Sequence, residues 1–266
     1  GFFLKFENSG AMGTDSSGNG NNFTVSGNMT QNVDTPTNVF PTFNPLAPSS
    51  AAQTMQNGSL YLPGPNSNNY WQSVPATMGC TSGKWYWEFK DETDWGSTSD
   101  STRRYGICDL DTIRHTLSSG ADVRFSDTTS AYAYMNASGV RHSGSTISGT
   151  TSTHPTFAEG DFLMFAMDLD NNKLYFGKNG TWNDSGDPTS GSTGTGSVAD
   201  ISSTAVWSPY AEIKYGSDTV SANFGQGYFR TTSAGSNTDA NGHGKFKYSV
   251  PSGYYAICTK NIKEFG

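Results

Sequence analysis

The sequence has little charge and no long apolar run, and each of these shortages excludes a class of protein. Charged residues make up 15% of the 266 residues, and the formal net charge is −7. An acidic chain of this kind argues against nucleic acid or an anionic membrane as a partner. No window reaches the roughly 20 apolar residues that a membrane-spanning helix needs. Neither nucleic-acid binding nor membrane insertion is therefore expected.

Cysteine and histidine are also scarce. The chain has 4 histidines, spread over separate segments without an HExxH motif. Its 3 cysteines form no CxxC pair and no zinc-ligand spacing; they are Cys80, Cys108 and Cys258. One disulfide with one free thiol is an alternative, but three small buried apolar side chains is the favoured interpretation. The sequence therefore predicts no metal and no cofactor.

Glycine and aromatic residues are abundant instead. The chain has 31 glycines, and aromatic residues reach 13%, enough to build a real core. Short apolar segments alternate with turn residues, which is typical of an antiparallel β-sandwich. We find no internal repeat and no convincing helix. The pattern predicts an all-β domain at residues 59–266, preceded by an N-terminal strand and an extended arm at residues 1–58.

The stretch at residues 160–180, GDFLMFAMDLDNNKLYFGKNG, is the clearest structural signal. Its first apolar run has no polar position, as in a strand that is buried on both faces. The segment DLDNN consists of residues that tolerate turns, so we expect a hairpin. Asn179-Gly180 then predicts a second tight turn directly after it.

Residues 34–46, DTPTNVFPTFNPL, contain three prolines between spaced apolar residues. Proline fixes φ and lacks the backbone donor, so the segment should be extended. We favour a docked arm over a disordered linker, because linkers seldom carry so many large apolar groups. If the arm lies on a neighbouring subunit, its anchors are Val39, Phe40, Phe43 and Leu46. A homo-oligomer is the expected assembly.

Five motifs occur in order along the chain: GKWYWEF (83–89), YGICDLD (105–111), GDFLMFAMDLDNNKLYFGKNG (160–180), WSPYAEI (207–213) and VSANFGQGYF (220–229). Together they resemble the SPRY domain. The resemblance covers roughly residues 59–260. It implies a bent sandwich of two antiparallel sheets, similar to concanavalin-like jelly rolls. SPRY domains are binding modules, so it also implies a protein that is not an enzyme.

The flanking segments are MGTDSSGNGNNF (12–23), DTPTNVF (34–40) and AICT (256–259). They resemble structural proteins of tailed bacteriophages, especially marine ones. This resemblance implies a virion structural protein at the particle surface, with other virion proteins as partners. The leading function is a tail-associated adhesin, in a tail fibre for example, that attaches to a host-surface glycan or protein. The alternative is a capsid or tail decoration protein without a receptor role.

The loops that match the SPRY binding rim are residues 91–104, 112–129 and 182–204. No ligand-contacting residue can be carried over from the family one by one. The side chains that we expect at the rim are Trp95, Arg103, Arg104, Tyr132, Tyr134, Asn136 and Trp182.

Two segments offer a chemical alternative to the binding module. Jelly-roll glycosidases need paired carboxylates, and their E-x-D-x-x-E spacing nearly occurs from Glu159 to Asp161, but Met164 replaces the last carboxylate. The alternate oxygens of Asp168, Asp170 and Asn172 could meet Ca²⁺, but the EF-hand glycine and closing glutamate are missing. A turn is the favoured interpretation of both segments.

Overall fold

A computed structural model gives the fold over residues 1–27, 29–46, 55–65, 70–93, 102–117 and 124–266. Within these ranges the strands form two large sheets and a small ribbon. Neighbouring strands run antiparallel, apart from one parallel pair near the C-terminus. The all-β sandwich that the sequence predicts is confirmed.

The first sheet has eight strands in the described residues and contains the central hairpin. Its main order is β1-β13-β3-β8-β9-β10, with β11 beside β9 and β16 parallel to β3. The bounds are β1 Tyr61–Pro63, β3 Lys84–Thr93, β8 Phe162–Asp168, β9 Lys173–Lys178, β10 Thr181–Trp182, β11 Ala199–Asp200, β13 Thr219–Asn223 and β16 Tyr255–Ala256.

The second sheet has six strands in the described residues, in the order β2-β12-β4-β5-β6-β7. Their bounds are β2 Gln72–Pro75, β4 Arg103–Asp109, β5 Ala131–Met135, β6 Val140–His142, β7 Ser145–Thr146 and β12 Trp207–Ile213. A separate ribbon pairs β14, Tyr228–Phe229, with β15, Thr232–Ser233.

Three short helices correct the expectation that the chain has none. They are α1 Leu110–Leu117, α2 Thr150–Thr153 and α3 Thr259–Phe265. Single turns of 3₁₀ helix occur at Phe125–Asp127 and Asn183–Ser185, and a longer 3₁₀ segment spans Pro188–Thr193. Each α-helix is two turns or less, which is too short for a 3.6-residue period to show in the sequence.

The central hairpin forms where the sequence predicts it. β8 pairs with β9 from Leu163 opposite Lys178 to Asp168 opposite Lys173. At the second predicted turn, Asn179 and Gly180 have φ values of 51° and 90°. Two consecutive positive φ values are typical of the tight hairpin turn that Asn-Gly favours, and this turn leads into β10.

β8 is apolar at every position except its last because both of its faces are covered. Leu163, Phe165 and Met167 point into the main core between the sheets. Met164 and Ala166 lie on the outer face in a second apolar cluster, which also contains Phe40, Tyr86, Tyr175, Phe246, Tyr254, Ala256 and Cys258. Much of this cluster comes from the C-terminal segment, which therefore closes the outer face of the first sheet.

β3 supplies the large rings of the core. Trp85, Trp87 and Phe89 are fully buried in the main core, while Tyr86 lies on the opposite face. The Trp87 ring stacks on Phe165 with centroids 5.3 Å apart and planes 4° apart. Full burial of such a side chain contributes about 1.5–3 kcal/mol. The three rings alternate along β3 and therefore share the face of the strand that lies toward the main core.

The arm packs against its own chain. Phe43 is buried in the main core and Phe40 in the outer cluster. This burial corrects the prediction that these two side chains anchor a neighbouring subunit, because neither is free to reach one. The part of the arm that carries Phe40 and Phe43 therefore contributes to the packing of the domain. Val39 is 41% exposed and Leu46 is 93% exposed, so both stay candidates for assembly contacts.

The three cysteines are free and buried, as the favoured interpretation predicts. No helix in the described part of the chain is long and apolar enough to cross a membrane.

Candidate functional site

A small polar pocket lies where β4 ends and where β5 and β12 begin. We call it the Tyr132 pocket. Its volume is about 240 Å³, and it is lined by Asp109, Thr112, Thr129, Ser130, Tyr132, Ser202, Thr204, Ala205 and Trp207. Two of the three loops that the sequence analysis selects, residues 112–129 and 182–204, therefore contribute to its walls.

Two aromatic rings form the apolar part of the pocket. The half-buried Tyr132 ring stacks on His142, with centroids 4.1 Å apart and planes 4° apart. Its centroid lies 5.9 Å from that of Trp207, whose Nε1 donates a 2.8 Å hydrogen bond to the Ser202 carbonyl. Burial raises the pKa of Tyr132, and the nearby Asp200 carboxylate raises it further. The Tyr132 hydroxyl is therefore protonated at neutral pH and can donate to a ligand.

Asp109 joins the polar walls of the pocket through hydrogen bonds that its carboxylate accepts from two segments of the chain. Its Oδ1 accepts from the backbone amides of Asp111 at 3.1 Å and Val206 at 3.2 Å, and its Oδ2 accepts from Thr112 Oγ1 at 2.7 Å. It is the one carboxylate among the described residues that line the pocket. The described lining thus offers hydroxyl groups and an aromatic face, and among its residues there is no carboxylate pair of the kind that glycoside hydrolysis needs.

Arg103 is excluded from ligand contact by its position. Its side chain has no exposed surface, and its Nε lies 3.0 Å from Asp91 Oδ2. Its Nη1 lies 3.3 Å from Asp218 Oδ1, so the guanidinium bridges two buried carboxylates. The Tyr105 hydroxyl donates to Asp91 Oδ1 at 2.7 Å. The prediction of Arg103 as a rim residue is corrected: it is a buried structural cation that links the two sheets.

Arg104 lies on the outer face of the second sheet, next to Trp71. Its guanidinium carbon lies 4.0 Å from the centre of the Trp71 ring, and its Nη1 lies 2.9 Å from Glu212 Oε1. Burial lowers the pKa of Arg104, and Glu212 opposes that change. Because Arg104 is only 5% exposed, its main role is to hold the sheet surface together rather than to meet a ligand.

Tyr134 and Asn136 are also buried, which corrects their prediction as rim residues. The Tyr134 hydroxyl donates to the Pro155 carbonyl at 2.6 Å. Asn136 Oδ1 accepts from the backbone amides of Thr102 at 2.9 Å and Arg103 at 3.0 Å. Tyr134 therefore joins β5 to the loop at Pro155, and Asn136 fixes the start of β4.

Trp182 and Trp95 complete the predicted set. Trp182 is half-buried against the outer cluster, with its ring centre 6.3 Å from that of Tyr86. It caps the outer face of the first sheet and does not line the Tyr132 pocket. Trp95 lies outside the described residues. Of the seven predicted side chains, Tyr132 is the one that the described structure places in the pocket.

Asp161, from the glycosidase-like spacing, and Asp168, from the possible Ca²⁺ loop, form hydrogen bonds that stabilise turns of their own chain. Asp161 accepts from Asn179 Nδ2 at 2.7 Å and from the Ala158 amide at 3.0 Å. Asp168 accepts from the Asn171 amide at 3.0 Å and pairs with Lys84 Nζ at 2.9 Å. Among the described residues, no three or more His, Cys, Asp or Glu side chains converge as metal ligands.

His154 is a buried ring that the sequence did not single out. It is 1% exposed and lies edge-on to Tyr134 and Phe176. Its Nδ1 lies 3.0 Å from Thr153 Oγ1, and its Nε2 meets no described hydrogen-bond partner. Burial lowers the pKa of His154 from 6.5 to about 4.

The low pKa of His154 predicts a loss of stability in mild acid. Below pH 6.5 the unfolded chain binds a proton that the folded chain does not. Stability therefore falls as pH drops from 6.5 toward 4, and this group has no effect above 6.5. Between pH 7 and pH 5, His154 is expected to remove about 2 kcal/mol from the free energy of unfolding. Urea unfolding at both pH values measures the change.

The matched variants are His154→Phe, which keeps a buried ring but cannot be protonated, and His243→Gln at a half-buried surface position. We expect His154→Phe to flatten the pH dependence and His243→Gln to leave it unchanged. An equally steep loss of stability in His154→Phe would contradict the assignment.

Comparison with known proteins supports the fold. The sequence matches no protein-family model and no curated protein. Among solved structures, it is similar to the SPRY domain of human HERC1, with a TM-score of 0.50 and 19% sequence identity. That similarity covers 68% of this chain and 96% of the HERC1 domain. The chain therefore has a SPRY-like sandwich fold, and at this identity the likeness concerns the fold alone.

Proposed function

We propose that the chain is a non-enzymatic binding module that takes its ligand in the Tyr132 pocket. The observation that carries this proposal is the half-buried Tyr132 ring, which lies among hydroxyl groups from two separate loops. A rigid aromatic face with a few polar groups around it is the usual composition of a small-molecule site. The stack on His142 holds the ring in place before a ligand arrives.

The chemistry of the pocket favours a glycan over a charged ligand. Aromatic rings contact the apolar faces of sugars, and hydroxyl side chains exchange hydrogen bonds with sugar hydroxyls. The Asp109 carboxylate is occupied by donors of its own chain. We therefore propose a host-surface glycan as the ligand, and a host-surface protein is an alternative outcome of the binding test.

The biological setting that we propose is a tail-associated adhesin of a bacteriophage particle, and it rests on the resemblance of the flanking segments. A decoration or appendage protein is the alternative, and the exposed Val39 and Leu46 favour contacts with other virion chains. Antibody labelling of intact particles separates the two, since label at the tail tip or fibres supports the adhesin. Label over the head supports the decoration protein. A carbohydrate-active enzyme is the least favoured alternative.

Replacing Tyr132 by Ala is expected to weaken glycan binding by about tenfold or more, because truncation of an aromatic anchor typically costs over 1 kcal/mol. The measurement is retention of the purified chain on an array of bacterial surface glycans, followed by titration of each glycan that binds. Thermal unfolding of the variant shows that the domain remains folded.

The matched control is Tyr70→Ala, because Tyr70 is a 48% exposed ring outside the pocket. It should bind like the parent chain. Equal losses in the two variants, or unchanged binding by Tyr132→Ala, would move the site away from the Tyr132 pocket.

A further inference from the structure

A second cavity lies between the arm, the C-terminal loop and the last helix. We call it the Lys245 cavity. Its volume is about 310 Å³, and the side chains that give it its chemistry are Asn38, Thr238, His243, Lys245 and Lys260. This size is at the lower end of the roughly 300–1,000 Å³ that small-molecule sites occupy. Among the described residues, none lines both this cavity and the Tyr132 pocket.

The charge of this cavity differs from that of the whole chain. The chain has 16 Lys and Arg residues and a net charge of −7. Most of the described cations are used internally, in ion pairs with carboxylates or over aromatic rings. Among the side chains that the structure describes, Lys245, Lys260 and Lys263 have neither kind of partner, and Lys245 and Lys260 line the same cavity.

Backbone hydrogen bonds fix the walls that carry these two lysines. The Lys260 amide donates to Asn38 Oδ1 at 3.2 Å, which joins the arm to α3. The Lys245 amide donates to the Gly225 carbonyl at 2.9 Å. The His243 amide donates to Asp239 Oδ1 at 2.8 Å. The cavity is therefore formed in advance, and only the two flexible lysine side chains have to be ordered by a ligand.

The nearby carboxylates are already engaged by donors of the chain. Asp239 accepts from the His243 amide and, through Oδ2, from Asn261 Nδ2 at 2.7 Å. Asp34 accepts from the Phe40 amide at 2.8 Å and lines the neighbouring cavity that it shares with Lys245. Neither carboxylate is among the residues that line the Lys245 cavity. Phe40 forms part of its apolar wall.

We infer that the Lys245 cavity binds a small ligand through an oxyanion group, a phosphate or a carboxylate. The ammonium groups of Lys245 and Lys260 supply the charge, and the Thr238 hydroxyl and Asn38 amide supply neutral hydrogen bonds. The apolar wall at Phe40 accommodates the remainder of the ligand. This site is additional to the glycan pocket, and either site can exist without the other.

The test is calorimetric titration of the purified chain at low ionic strength with two probes, inorganic phosphate and glucuronate. Saturable one-to-one binding of either probe is the expected result, and the preferred probe shows whether the oxyanion is a phosphate or a carboxylate. In the double variant Lys245→Gln, Lys260→Gln, affinity should fall about tenfold or more, because the two positive charges that line the cavity are removed. Thr238→Glu, which adds a negative charge to the wall, should have the same effect.

The matched control is Lys263→Gln, which removes an unpaired lysine from the same helix but outside the cavity. It should retain the affinity of the parent chain. The proposal is overturned if neither probe gives saturable binding. It is also overturned if the double variant binds as tightly as the parent chain, or if Lys263→Gln loses as much affinity as the double variant.

Discussion

Replacing Arg103 by Met is expected to lower the free energy of unfolding by about 3–5 kcal/mol. The guanidinium has no exposed surface and bridges Asp91 on β3 and Asp218 in the turn before β13. The variant removes the buried positive charge that lies within 3.0 Å of Asp91 and 3.3 Å of Asp218. Urea unfolding at pH 7 measures the loss.

Two controls separate the effect of the buried ion pairs on stability from the effect of replacing any cationic side chain. Adding Asp91→Asn and Asp218→Asn to the Arg103→Met chain should recover part of the lost stability, because the uncompensated charges are removed. Lys5→Met breaks an exposed pair with Glu7, at 4.0 Å, and should cost less than about 1 kcal/mol. If Arg103→Met costs no more than Lys5→Met, the bridge between the sheets is unimportant for stability.

Replacing Glu88 by Ala is expected to cost about 3 kcal/mol, because it leaves several buried donors without an acceptor. Glu88 Oε1 accepts from Tyr86 Oη and from the Tyr248 amide, both at 2.8 Å. Its Oε2 accepts from the Lys247 amide at 2.9 Å and from Asn223 Nδ2 at 3.2 Å. Burial raises the pKa of Glu88, and these donated hydrogen bonds oppose that change.

Hydrogen exchange gives a local readout of the same change, since the amides of Lys247 and Tyr248 should exchange faster in Glu88→Ala. Glu88→Gln keeps one acceptor oxygen and should lose less stability. Glu159→Ala, at an exposed position, should stay within about 0.5 kcal/mol of the parent chain. Unchanged protection at Lys247 and Tyr248 would show that Glu88 does not hold the C-terminal segment.

Two kinds of sequence pattern predicted much of the sandwich: apolar residues at every second position, and continuous apolar runs. The alternation of Trp85, Trp87 and Phe89 identified the core face of β3, and the unbroken run of β8 correctly indicated that both faces are buried. Both patterns lie within a single strand, so they can be read from the sequence without knowing which strands pair with it. The contribution of Phe246 to the cover of the outer face was not predictable, because this residue lies in a loop-rich segment with no strand period.

The candidate site was much less predictable than the fold. Arg103 and Asn136 are polar residues beside predicted loops, but a polar residue in a sequence does not show whether it has a buried partner, as Arg103 has in Asp91. Trp207 was assigned to a strand motif, and its place in the Tyr132 pocket depends on its pairing opposite Asp109. Such pairings join distant segments, so no local pattern encodes them.

The contact between the arm and α3 has a consequence for how the chain folds. The Val39 amide donates to Thr259 Oγ1, across 220 residues of sequence, and β3 pairs with both β13 and β16. Closing such long loops lowers the conformational entropy of the chain before the stabilising contacts form, so topologies of this kind fold slowly. While the chain emerges from the ribosome, the aromatic rings of β3 lack their last partners. The sandwich is completed only after synthesis has passed α3, and until then its core-forming strands depend on protection from aggregation.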